Sequence, residues 1–125
     1  HIDLTHDYLS IAVEFDNGLD LTFMWSAALK PGTVFQCPLP WWRARETHWV
    51  LRALPDDPLG EWLDEDQPLL TCYQTAIGGP APKRVVAVWL IANSIFQRQP
   101  GACRYRNLRL TAGNTVTTVP VRPAI

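Results

Sequence analysis

The sequence predicts a mainly β domain, an antiparallel β-sandwich or jelly-roll-like sheet with one α-helix packed against it. Three observations lead there. Several short segments alternate apolar and polar residues with the two-residue period of a half-buried strand. Asn-Gly and Pro-Gly turn signals separate them. A single segment, about Gln67 to Ile77, carries a helical apolar stripe.

The elements follow in chain order. In "YLSIAVEF" (Tyr8 to Phe15), Leu9, Ile11, Val13 and Phe15 share one face, and Tyr8, Ser10, Ala12 and Glu14 share the other. "DNGLD" then favours positive φ at its turn, so "LTFMWSA" is the return strand of a hairpin. "KPGT" (Lys30 to Thr33) has Pro and Gly at the central positions of a type II turn. "THWVLRAL" (Thr47 to Leu54) is a third strand, followed by a loop to Gly60. Asp66 or Gln67 is the expected helix cap, and Pro68 suits the first turn, where its missing N–H costs nothing. Asp64, Glu65 and Asp66 complement the positive end of the helix dipole. The expected apolar stripe is Leu69, Leu70, Tyr73, Ala76 and Ile77, and Gly78 and Gly79 close the helix. "RVVAVWLIAN" is apolar on both faces and reads as a central strand. "CRYRNLRLTA" (Cys103 to Ala112) and "TVTTVPV" (Thr115 to Val121) complete the set, with Pro120 demoting the last to an edge. Residues 1–112 thus read as one domain and 113–125 as an edge strand or tail.

A net charge of -1 conceals an asymmetry. All twelve acids lie within residues 1–66, whereas 67–125 carry only bases. Either the halves pair within the domain, or the basic half meets an anionic partner. No apolar run approaches the ~20 residues of a membrane-spanning helix. Cys37, Cys72 and Cys103 show no paired-ligand spacing, so the pattern offers no zinc motif and no cofactor, and their disulfide state stays open. The chain begins at His1 without a signal peptide, as a processed chain or a fragment would.

"LTFMW", "KPGTV", "GEWLDEDQPLLTCYQTAIG", "VVAVWLIAN" and "YRNLRL" together resemble a bacterial domain-of-unknown-function family, number three-zero-four-seven. The segment from Trp62 to Gly78 is the most specific, matching the family at Trp62, Glu65, Tyr73, Ala76 and Gly78 without a gap. The resemblance implies an exported protein, periplasmic or secreted. It also implies that the family's early strands precede this stretch, so that the chain corresponds to the C-terminal two-thirds of the domain. Where the family has an acidic Thr-Asp-rich run, this chain reads "ANSIFQRQ", with Asn93 and Ile95 at acidic positions.

Candidate sites divide by chemistry. Trp41 and Trp42, with Arg43, Arg45 and His48, form a candidate ligand platform, since a sugar ring stacks on an exposed indole. Strand alternation would display one of the tryptophan pair and bury the other, and would turn His48 and Trp49 to opposite faces. Trp25, Trp62 and Trp89 are expected in the core. His1, His6 and His48 are a remote copper set, in which His1 would contribute its amine. Cys72 with His48 is a formal nucleophile pair, and Glu65 a formal acid–base group, but a buried thiol and a dipole-complementing acid account for both. Arg104, Arg106 and Arg109 are a candidate partner surface, not a nucleic-acid site, because the chain is slightly acidic and has no nucleic-acid motif.

The function that fits is a non-catalytic exported binding or accessory domain, engaging a protein partner or a glycan. The alternatives are a metal-dependent or hydrolytic enzyme using His1, His6, His48 or Glu65, and an ordered portion of a subunit in a larger assembly.

Overall fold

A computed structural model describes residues 8–26, 29–37, 40–53, 60–93 and 105–120. Among the described residues the architecture is mainly β with one short helix, as the patterning predicts. The elements are β1 (Tyr8–Phe15), β2 (Asp20–Ser26), β3 (Val34–Gln36), β4 (Glu46–Ala53), α1 (Leu69–Ala76), β5 (Val85–Asn93), β6 (Arg109–Ala112) and β7 (Thr115–Thr118). Five strands form one sheet in the order β3-β4-β2-β1-β5, and β6 and β7 form a separate hairpin.

The local signals act where they stand. Gly18 adopts φ +82° in the β1–β2 turn. The Thr33 N–H donates to Lys30 O at 3.1 Å across the Pro31-Gly32 turn, with Gly32 at φ +89°. Pairing of β1 with β2, β1 with β5 and β3 with β4 is antiparallel. The pairing of β2 with β4 is parallel, so the sheet is mixed where uniform antiparallel pairing was expected. The reason is connectivity: β3 intervenes and pairs with β4 on the outside, so β4 runs alongside β2.

Two faces result. On one, Val13, Phe15, Leu21 and Phe23 pack against Cys72 and Tyr73 of α1, with Trp49, Leu51, Leu69, Ala76, Ile77 and Val85 around them. The residues α1 contributes recur at the spacing of one helical face. Cys72 therefore takes the place expected for Leu70, which faces solvent. Pro68 caps α1 without a side-chain bond, and the three acids precede its first turn. Gly78, at φ +78°, donates back to Tyr73 O at 3.0 Å and ends it. The other face has an apolar end, Met24, Val50 and Ala53 with Leu29, Phe35 and Ile91, and a polar end.

Two further expectations change. The segment "RVVAVWLIAN" is an edge among the described strands, not a central strand, and Trp89 is about half exposed (51%). Of the expected strand from Cys103, residues 103 and 104 lie outside the described residues, and from Tyr105 on only β6 is extended, because Asn107 takes a left-handed φ of 56°, which interrupts extended backbone. Tyr105 instead donates its hydroxyl to Ser10 O at 3.1 Å, tying this segment to β1. Among the described residues no helix is long and apolar enough to cross a membrane.

Tyr73 is the pivot of the helix–sheet contact. It is fully buried, meets Phe15 edge-on at 5.1 Å between ring centroids, and its hydroxyl accepts from Asn17 Nδ2 at 2.8 Å. Tyr73→Ala is expected to cost about 3–5 kcal/mol in urea denaturation. Tyr73→Phe, which keeps the ring and removes the acceptor, is expected to cost about 1 kcal/mol. Equal losses for the two would show that the ring packing contributes little.

Candidate functional site

The polar end of the second sheet face is assembled by register. Strand alternation turns Glu46, His48 and Val50 away from α1. The parallel partner places Asp20 beside Glu46 and Thr22 beside His48. The antiparallel partner places Glu14 beside Asp20 and Ala12 beside Thr22. Two rows therefore cross the sheet, Glu46–Asp20–Glu14 and His48–Thr22–Ala12. From the outer strand, Phe35 stands opposite His48, with ring centroids 5.0 Å apart. One step past β3, the Cys37 N–H donates to Glu46 O at 3.0 Å, which fixes Cys37 beside the first row.

The cluster is deeply buried: Cys37, Thr22 and His48 have no exposure, and Asp20 retains 7%. Burial pushes the Asp20 carboxyl up to about 6, and the neighbouring carboxylates of Glu46 and then Glu14 push the same way, while Arg45 opposes them. His48 Nε2 lies 3.5 Å from Glu46 Oε1. One donor atom each from Cys37, Glu46 and His48 falls within 4.8 Å of the others, so this trio has the reach to hold a metal ion. Asp20 Oδ1, Thr22 Oγ1 and Ser10 Oγ are buried and meet no hydrogen-bond partner among the described residues.

The tryptophan stretch lies directly ahead of this cluster. Residues 40–45 form a turn. The N–H groups of Arg45 and Glu46 both donate to Trp42 O at 2.9 Å, and the Asp20 N–H donates to Arg45 O at 2.7 Å. Because the backbone here is turned and not extended, alternation does not split the pair. Trp41 is 70% exposed and Trp42 is exposed as well. The Arg45 guanidinium lies 5.0 Å from the Trp42 ring centroid and so occupies one of its faces, while Arg43 is exposed. His48 and Trp49 do face opposite ways, but both are covered, His48 in the polar cluster and Trp49 in the α1 core.

The other candidates separate. His1, His6 and Arg104 lie outside the described residues. Cys72 packs on the α1 side of the sheet, opposite His48, so the two do not form a pair. Glu65 accepts from Arg52 Nε at 3.0 Å and from Gln67 Nε2 at 3.3 Å, an ion pair at the surface. Arg106 stacks on Trp62 at 3.9 Å, and Trp62, expected in the core, is 52% exposed beneath it. Arg109 is exposed on β6. Asp20, Thr22 and Glu46 belong to no motif in the sequence, and Cys37 stands there only as a cysteine without paired-ligand spacing. Glu46 and His48, two apart on a strand, were the available signal; Cys37 joins them only once the β3–β4 register is known.

A family model described as "Protein of unknown function (DUF3047)" matches residues 3–109. No curated protein and no solved structure matches the chain.

The raised Asp20 carboxyl fixes the sign of one pH effect. A carboxyl held above its unfolded value of 3.8 binds its proton more tightly in the folded chain. Its favourable contribution is full below that value and is lost as pH rises through about 6, by on the order of 2–3 kcal/mol. In chelator-treated protein, Asp20→Asn is expected to flatten the fall in stability between about pH 4 and pH 7.5. Urea denaturation across that range checks it; parallel curves for the two proteins would rule it out.

Proposed function

The chain belongs to the DUF3047 family, and we propose that it is a non-catalytic binding domain that receives an extended strand of a protein partner along β5. The observation that carries this is the character of that edge. Val85 to Asn93 contains no charged residue and no proline, the two devices that normally blunt an exposed strand edge. Trp89 and Val86 are each about half exposed on it. The opposite edge, β3, is only three residues long. Among the described residues no strand pairs with the outer side of β5, and an added strand would pair its amides and carbonyls there and cover both side chains, with main-chain bonds giving affinity and side-chain pockets giving choice. Export to the periplasm or outside the cell is part of this reading, and its support is the resemblance to a family whose members usually look exported.

A second reading rests on Trp41. It is the most exposed of the tryptophans and has Arg43 nearby, a combination that suits stacking against a sugar ring with a cation to orient it. Glycan-array binding that disappears in Trp41→Ala and persists in Trp89→Lys would favour this reading over the first.

Selection from a displayed library of random linear peptides tests strand addition. Peptides with alternating apolar residues are expected to bind, and Trp89→Lys or Val86→Lys to weaken them by at least about tenfold. Failure to select any peptide, or binding indifferent to both substitutions, would overturn the proposal.

A further inference from the structure

We propose that Cys37, Glu46 and His48 form a site for a borderline transition-metal dication of the zinc class, set within the sheet under the tryptophan turn. The donor set is the first reason. Thiolate, imidazole and carboxylate together are the ligands of Zn²⁺, whereas Mg²⁺ and Ca²⁺ take oxygen throughout.

Geometry is the second reason. Ligands at zinc bond lengths on a tetrahedron stand about 3.3–3.6 Å apart. His48 Nε2 and Glu46 Oε1 are 3.5 Å apart, already the edge of such a tetrahedron. The farthest of the three donor atoms is within 4.8 Å, so closing on an ion requires a contraction of about 1 Å. The backbone holds the three in place from two bonded strands. Glu46 and His48 share a face of β4, and the Cys37 N–H to Glu46 O bond pins the end of β3 against it. The Phe35 ring packs on the imidazole and limits its rotation.

A third observation is independent of these ligands. Asp20 Oδ1 and Thr22 Oγ1 lie in the same two rows, are buried, and meet no hydrogen-bond partner among the described residues. Leaving such atoms unsatisfied is costly. Asp20 is not one of the donors that fall within 4.8 Å of one another, but a dication held by the trio, with its bound water, would give both atoms a partner, Asp20 accepting from that water and Thr22 bonding to it. It would also offset the burial of neighbouring carboxylates, which is expensive without a compensating cation. The site is closed, with Cys37 and His48 wholly buried, which fits an ion that braces the end of β3 against β4.

Co²⁺ titration of the chelator-treated chain, under reducing conditions, is the direct test. One equivalent is expected to produce a near-ultraviolet thiolate-to-cobalt charge-transfer band, which Zn²⁺ then displaces. Cys37→Ser is expected to abolish the band, while Cys72→Ser, on the far face of the sheet, leaves it intact. Glu46→Gln preserves the thiol and the side-chain shape, and is expected to weaken Co²⁺ binding by at least about tenfold. Absence of the band in the unaltered chain overturns the proposal without recourse to any variant. So does a band that survives Cys37→Ser, or an affinity unchanged in Glu46→Gln.

Discussion

The parallel pairing of β2 with β4 is the constraint on which the rest of the molecule depends. It sets Asp20 against Glu46 and Thr22 against His48, and in the same stroke sets Leu21 against Thr47 and Phe23 against Trp49. Strand periodicity allows no intermediate arrangement: a one-residue slip would send the acids into the α1 core and the apolar residues to the polar face. Burial of Leu21 and Phe23 against Tyr73 and Cys72 therefore does more than stabilise the helix. It specifies the register that gathers the polar cluster on the other side. The energetic burden is carried by the apolar face, where each fully buried large side chain contributes about 1.5–3 kcal/mol.

The polar face is unfavourable by itself. Three carboxyl groups stand in one row across neighbouring strands, and like charges directly opposite each other are destabilising. Arg45 lies close enough to draw the Asp20 carboxyl downward, yet its side chain is turned toward Trp42 and Gly18 O, and the net effect on Asp20 remains upward. A sheet selected only for stability would place threonine or valine there. Local and global preferences conflict at this cluster, and such conflicts are where functional constraint is expected.

Much of the fold was legible because its signals are local. The hairpin, the Pro-Gly turn and the glycine stop of the helix each depend on a few adjacent residues whose backbone preferences are strong. The partnership of β2 and β4 was not legible, since nothing within "LTFMW" or "THWVL" states which strand lies alongside or in which direction. The cluster was hidden for the same reason: Cys37 and His48 are far from paired-ligand spacing, and only the outer pairing of β3 brings them together. The tryptophans misled in a different way. Trp62 and Trp89 read as core because aromatic residues dominate cores, but Trp62 is half exposed with an arginine from the basic half over one face, and Trp89 stands on an edge of the described sheet. Alternation failed for Trp41 and Trp42 because it applies to extended backbone, and theirs is a turn.

The cluster and the exposed edge share one geometric row. Phe35, His48, Thr22, Ala12 and Trp89 follow one another across all five strands, each the register partner of the next. The row begins at a short outer strand, passes the buried imidazole, and ends at the half-exposed indole of β5. His48, Thr22 and Ala12, its middle members, are all buried, and backbone pairing links β4 to β2, β2 to β1 and β1 to β5. An ion held by β3 and β4 would tighten the end of the sheet remote from the edge. It would make β5 a more rigid template for an incoming strand, and a preordered edge loses less entropy on pairing than a fluctuating one. The paired backbone of the sheet is what lies between the two features.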